Sequence, residues 1–179
     1  QLDRVLSAVE KYLPMDRCRE FTVEAGRPDT ITEDKLKVLR DHGIQRISIN
    51  PQTMDDRILR SMGRAHTAGQ IRQTMELARV HFGGLVNMDL IAGLPGDSPE
   101  EVLAMVPASL TGHTLALKKG ARLMEERGSL CSPEGVAGML ATARDALSAA
   151  GYQPYYLYRQ KYMSGSFENV GWCQPGTRC

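Results

Sequence analysis

The stretch "SINPQTMDDRILRSMGRAHT", residues 48–67, decides how this chain is read. It opens as the end of a strand, where Ile47 and Ile49 alternate with polar neighbours at the period of a pleated backbone. Pro51 then breaks the ladder, since it has no N–H to donate. Gln52 offers a bare amide, and a short helix over roughly residues 54–62 stops at Gly63, leaving Arg64 just beyond it. A chain that only had to turn from strand into helix needs neither Gln52 nor Arg64. The pair raises the question of a ligand.

On both sides of this stretch the pattern repeats. "FTVEA" (21–25) is a β-rich run, and "TITEDKLKVLRDHG" follows with Leu36 and Leu39 on one helical stripe and Gly43 as its stop. "IQRISIN" (44–50) is the strand that enters the opening stretch. Thr67 and Gln70 fit a capping box for a helix that runs to about Val80. "GLVNMDLIAG" (84–93) is the next strand, and Ser98, Pro99 and Glu101 signal another helix start. "SLTGHTLAL" (109–117) reads as a strand, "SPEGVAGMLATARDALSAAG" (132–151) as a helix, and "YQPYYLY" (152–158) as a last extended segment weakened by Pro154. Before all of these, Leu2, Val5, Leu6, Val9 and Leu13 recur at helical spacing.

Strand and helix thus alternate about five times with short connections, which predicts an α/β fold with parallel strands and right-handed crossovers. Two architectures satisfy this: a (β/α) barrel, whole or partial, and a doubly wound sheet. No GxGxxG or Walker motif is present, which weakens the nucleotide-binding doubly wound form. Five units are too few for a complete eight-fold barrel.

The 179 residues suit one domain or most of one. A hydrophobic content of 42% and a charged content of 24% are those of an ordinary globular protein. A net charge of +1 points to neither nucleic acid nor an anionic membrane. No apolar run approaches the roughly 20 residues of a spanning helix, and no signal peptide is evident. A cytoplasmic location is expected. The chain opens on Gln1 inside a helical pattern and closes on Cys179 after a Pro-Gly turn, so it reads as a piece of a longer protein. Cys18, Cys131, Cys173 and Cys179 form no CxxC and have no His at zinc spacing, so reduced thiols and no metal site are expected.

In folds of this kind ligands sit at the C-terminal ends of the strands. The successive strands deliver Glu24, then Asn50 and Gln52, then Asn87 and Asp89, then His113, and finally Tyr158 and Arg159, with Arg64 one short helix after the second strand. Two acids, arginines, amides and an imidazole at one rim suit a zwitterionic or polyhydroxylated ligand. A carboxylate accepts from an ammonium, a guanidinium grips a carboxylate through two parallel bonds, and Asp or Gln satisfies ribose hydroxyls. Each residue also has a plain structural role open to it. Glu24 and Asp89 can pair with Arg46 or Arg64, Asn50 and Asn87 can tie loop backbones, and His113 can be a satisfied core histidine.

Together "FTVEAGRPDTIT", "RISINPQTMDD", "GRAHT", "NMDLIAGLPGDSPEEV" and "YYLYRQKYMSGSFENVG" resemble the radical S-adenosylmethionine proteins related to oxygen-independent coproporphyrinogen III oxidase. The last motif resembles the coproporphyrinogen dehydrogenase subgroup called HemZ. The resemblance covers essentially the whole chain. It implies a partial (β/α)6 barrel over residues 1–151, with 152–179 as the start of the family's C-terminal region. It implies a [4Fe–4S] cluster and S-adenosylmethionine, a 5′-deoxyadenosyl radical, and oxidative decarboxylation of a porphyrinogen propionate to vinyl in haem biosynthesis, with an external electron donor. Carried over position by position, Glu24 and Arg64 match the holders of the methionyl amino and carboxylate groups. Gln52 and Asp89 match the holders of the ribose hydroxyls, and Ile91 matches an apolar contact to the adenine. Arg159, Lys161 and His113 are the candidates for the substrate side. The family's CxxxCxxC and "GGGTP"-type segments are absent, and in the family both lie upstream of the region that Gln1 begins. The segment after Ser98 is shorter than the family's, interrupted by Pro107, as if residues were missing near 106–109. An enzyme fragment, inactive in isolation, is the leading expectation. A haem-binding chaperone on the same scaffold is the alternative, and a half-barrel without chemistry the third.

Overall fold

Local signals place each element. The structure, a computed structural model, describes residues 1–94, 107–116, 131–159 and 164–177. The first helix, α1 (Leu2–Tyr12), precedes β1 (Thr22–Gly26) and α2 (Glu33–Asp41). Thr32 caps α2 by accepting from the Lys35 N–H, and acids occupy its first turn where the helix dipole is positive. Strand β2 (Arg46–Gln52) leads into α3 (Asp56–Ser61) and α4 (Ala68–Leu77). Asp55 caps α3 through the Arg57 and Ile58 N–H groups, and Thr67 and Gln70 form both halves of the capping box on α4. A wider π-type turn, Ala78–Phe82, prolongs α4 until Gly83, whose φ of 73° needs no Cβ to be accommodated. Then come β3 (Leu85–Ala92), β4 (Ser109–Thr114), α5 (Pro133–Ala149), β5 (Gln153–Tyr158) and β6 (Asn169–Cys173).

The six strands form one sheet in the order β1-β2-β3-β4-β6-β5. Strands β1 to β4 are parallel and adjacent in sequence order, as the alternation predicted. One face of the sheet is apolar. Ile47, Ile49, Val86, Met88 and Leu90 meet Leu36 and Leu39 of α2, Ile71 and Met75 of α4, and Phe82. Ile47, Ile49 and Met88 have no exposed surface, so truncating either isoleucine to Ala costs about 2–5 kcal/mol. The α1 helix docks through Leu6 and through His42, whose ring nitrogens lie 2.8 Å from Glu10 Oε1 and 3.0 Å from Asp3 Oδ1. These carboxylates, Asp3 first, raise the His42 pKa above its ordinary value.

The far edge departs from the sequence reading. The segment 153–158 is a strand, but it is not the next parallel strand of a barrel. It pairs antiparallel with β6, which the sequence reading did not assign and which inserts between β4 and β5. Ten residues separate Tyr158 from Asn169, too few for a helical crossover, so the chain returns antiparallel. Because β6 opposes both neighbours, β5 runs in the direction of β4, and Tyr158 ends at the same rim as His113. The helix start at Ser98, Pro99 and Glu101, as well as Lys161 and Cys179, lies outside the described residues. Among the described residues no helix is long and apolar enough to cross a membrane.

Candidate functional site

The other face of the sheet is polar, and register aligns its rows. Glu24, Ser48, Asn87 and Ser109 fall side by side across β1 to β4. Two residues on, Asp89 pairs with Thr111, and then Ile91 with His113. Side chains alternate along a strand, so the expected residues of β1, β3 and β4 share one face.

Its lower part is a closed network. Arg46 is 3% exposed. Its Nε donates to Glu20 Oε1 at 2.8 Å, Nη1 to Ser109 Oγ at 2.9 Å, and Nη2 to the Thr177 carbonyl. Ser109 Oγ donates to Asn87 Oδ1 at 3.0 Å, and Asn87 Nδ2 to Asp89 Oδ1 at 2.8 Å. A buried guanidinium is tolerated when its donors are met in this way.

The rim is different. Glu24 is exposed and accepts from Asn50 Nδ2 at 3.2 Å. Asp89 is 18% exposed, and its second oxygen lies 3.7 Å from His113 Nε2, beyond hydrogen-bond length. Arg64 follows Gly63 (φ 70°), where its own N–H closes the last turn of α3 on the Leu59 carbonyl at 2.9 Å. Among the described residues neither Glu24 nor Asp89 has an arginine or lysine partner, and the Arg64 guanidinium has no carboxylate. The bracing pairs that the sequence also allowed are therefore not formed there. Arg46, one of the cations offered for that role, is committed to Glu20 instead.

Gln52 carries a feature the sequence did not announce. It has a φ of 71°, in the left-handed region where a non-glycine residue is strained, and the β2–β3 register shifts between Ile49 and Gln52. A bulge of this kind re-aims a side chain at a strand end. His66, two residues after Arg64, was likewise missed, although "GRAHT" was available as a signal. It is 1% exposed, with Nε2 3.5 Å from the Pro51 carbonyl and Nδ1 3.6 Å from Asp29 Oδ1. It bridges the segment after β1 and the bulge before Gln52.

Arg159 is paired with Glu168, and the Tyr156 and Tyr158 rings stack 6.5 Å apart, both exposed. A separate cavity of about 320 Å³ lies on the helix-covered face, between α5 and Leu90, Leu110, Val170 and Trp172. Of the expected site residues only Ile91 is among its described lining. Its walls are mostly apolar, with Arg144 and Glu168 among them, and include none of Glu24, Arg64 or Asp89, so the polar face is the candidate site. Among the described residues no group of three or more His, Cys, Asp or Glu side chains is placed to hold a metal ion.

Comparison with known proteins identifies the family and the fold. The chain is 42% identical over 177 residues to the oxygen-independent coproporphyrinogen-III oxidase-like protein HemZ of Bacillus subtilis, covering 94% of this chain and 35% of that protein. It is 30% identical over 171 residues to the heme chaperone HemW of Lactococcus lactis, covering 87% of this chain and 44% of that protein. The chain thus spans well under half the length of these relatives. The solved structure of coproporphyrinogen III oxidase (HemN) from Escherichia coli superposes with a TM-score of 0.77 at 22% identity, over 98% of this chain and 40% of that one, which establishes the shared fold. The family model of the radical SAM superfamily matches residues 5–106, and with the rim residues on four parallel strands the chain belongs to that superfamily.

Proposed function

We propose that this chain is the S-adenosylmethionine-binding part of an enzyme of the oxygen-independent coproporphyrinogen III oxidase or dehydrogenase type. The observation that carries the reading is the set of uncompensated charges at one rim: two carboxylates without a lysine or arginine, and a guanidinium without a carboxylate, among the described residues. Unpaired charges at a strand-end rim complement a zwitterion. The donor set fits the cofactor. Glu24 would accept from the methionyl amino group, Arg64 would donate to its carboxylate, Gln52 and Asp89 would hold the ribose hydroxyls, and Ile91 would supply an apolar contact to the adenine. The family uses S-adenosylmethionine with a [4Fe–4S] cluster, which together supply one-electron reductive chemistry when bound. Among the described residues no group of three or more His, Cys, Asp or Glu side chains is placed to hold the cluster.

The substrate reading follows from the HemZ relationship and from the far rim. Tyr156 and Tyr158 present ring faces, and Arg159 a cation partly offset by Glu168, at the end of the sheet that also carries His113. Such a surface suits a porphyrinogen bearing propionates. The reaction proposed is oxidative decarboxylation of propionate to vinyl: the substrate would lose CO2, one proton and two electrons, and S-adenosylmethionine as co-substrate would take up that hydride equivalent on conversion to methionine and 5′-deoxyadenosine. The second reading, haem binding without decarboxylation, is favoured by the 30% identity to a heme chaperone. Anaerobic incubation of the full-length protein with coproporphyrinogen III and S-adenosylmethionine decides between them. Loss of CO2 from the porphyrinogen, abolished by Asp89→Ala, supports the enzyme. Haem binding without any turnover supports the chaperone.

A further inference from the structure

Two buried side-chain polar atoms have no hydrogen-bond partner among the described residues, Asn50 Oδ1 and His66 Nδ1. Both flank the Pro51–Gln52 bulge. Asn50 is the more telling, because its other amide atom is used. Nδ2 donates to Glu24 Oε2 at 3.2 Å across the β1–β2 pair. Turning the amide over would satisfy nothing, since it would set Oδ1 against the Glu24 carboxylate. A buried amide oxygen without a donor destabilises the fold. The amide is thus oriented for Glu24 at the expense of its own acceptor, and such unsatisfied groups gather where function over-determines structure.

We propose that Asn50 is a positioning residue for Glu24. It occupies Oε2 and fixes the carboxylate plane, which leaves Oε1 as the acceptor for the ammonium end of S-adenosylmethionine. The proposal rests on the reading of Glu24 given above. It assigns Asn50 to the amino-acid end of the ligand and to no other part of it. Asn50 touches the ligand only through Glu24.

The test is calorimetric binding of two probes to the full-length, cluster-containing protein, with thermal melts run beside it. S-adenosylmethionine carries the ammonium, whereas 5′-methylthioadenosine carries only the nucleoside end. For Asn50→Ala, affinity for S-adenosylmethionine falls about three- to tenfold, the loss of one hydrogen bond. Affinity for 5′-methylthioadenosine does not change. The melting temperature holds or rises, because the unpartnered oxygen is gone. Asn50→Ser, whose hydroxyl is too short to reach Glu24, gives the same pattern and serves if the alanine variant does not fold. An equal loss for both probes, or a lower melt with S-adenosylmethionine affinity retained, overturns the proposal and makes Asn50 a strand tie. Glu24→Ala separates the two layers. If it weakens S-adenosylmethionine binding while Asn50→Ala does not, only the positioning role is wrong. If Glu24→Ala leaves that affinity intact, the assignment of Glu24 is wrong and the Asn50 proposal falls with it.

Discussion

Replacing Arg64 by Lys tests the rim most directly. Arg64 is held by its backbone, where Gly63 turns left-handed and the Arg64 N–H meets the Leu59 carbonyl, while its guanidinium has no carboxylate among the described residues. Exchange for Lys keeps the charge and breaks no native ion pair, so stability changes by no more than about 0.5 kcal/mol. Binding behaves differently. An ammonium cannot reproduce the planar two-bond fork that guanidinium offers a carboxylate. Losing a charge-assisted bond in a partly dry site costs roughly 1.5–3 kcal/mol, about ten- to a hundredfold in affinity. Calorimetric S-adenosylmethionine binding beside thermal melts, on the full-length protein, reads both quantities. A melt that drops while affinity holds would refute the reasoning and return Arg64 to architecture.

Five further outcomes follow from the same structure. Gln52→Gly removes the left-handed strain of φ 71° and raises the melting temperature, yet weakens S-adenosylmethionine binding by on the order of 1 kcal/mol through the lost amide. Arg159→Ala raises the KM for coproporphyrinogen and leaves S-adenosylmethionine affinity unchanged; the reverse pattern removes Arg159 from the substrate side. The isolated 179-residue chain self-associates with rising concentration in sedimentation, because among the described residues β1 pairs on one side only and Val5, Tyr12 and Leu13 of the α1 region are exposed; a strictly monomeric chain contradicts this. Asp55 is held at about 2, below its ordinary 3.8, first by the Arg57 side chain and then by the N–H groups it caps, so its contribution is present above pH 3.8 and lost as pH falls toward about 2. His42 is raised above 6.5, so its contribution is full below that value and lost as pH rises through the folded pKa. Melts of Asp55→Asn and His42→Gln against the parent chain converge at the acid and alkaline ends respectively.

What the sequence disclosed was what is local. The capping box at Thr67, the helix start at Ser132 and the strand runs of β2 and β3 depend on neighbours a few residues away, and each is where the pattern put it. The choice of strand partner is not local. The run at 153–158 carries the same signal whether it joins a parallel or an antiparallel neighbour, and β6, with Gly171 at its centre, has little β propensity of its own. It is a strand because Ser109 and Gln153 both pair with Cys173. The site divides in the same way. Glu24, Asp89 and His113 were expected at one rim from strand alternation, Ile91 only from the family resemblance, and strand register sets all four on one face of the sheet. The bulge at Gln52 was not, since no glycine marks the position where φ turns positive. Nor was the commitment of Arg46, which depends on Glu20 and on Ser109, more than sixty positions along the chain.

The two halves of the polar face obey different rules, and the difference bears on what evolution can change. In the floor, Arg46, Ser109, Asn87 and Glu20 satisfy one another. Removing any one of them strands a buried donor or acceptor, which costs more than the bond itself contributes. Substitution there acts on folding. At the rim, Glu24, Arg64 and Gln52 have groups that no described neighbour completes, and the backbone at Gln52 is strained rather than relaxed. On the proposed reading, substitution at Arg64 or Gln52 leaves the fold intact or improves it and is read out in ligand affinity. Asp89 joins the two, because one carboxylate oxygen accepts from Asn87 of the floor while the other faces His113 across the rim. A change at Asp89 should therefore lower the melting temperature and the ligand affinity together, whereas changes at Arg64 or Gln52 separate them. That coupling makes Asp89→Asn the variant whose two readouts must be measured on the same preparation. An affinity loss without a stability loss would mean that the Asn87 bond does not hold the carboxylate in place.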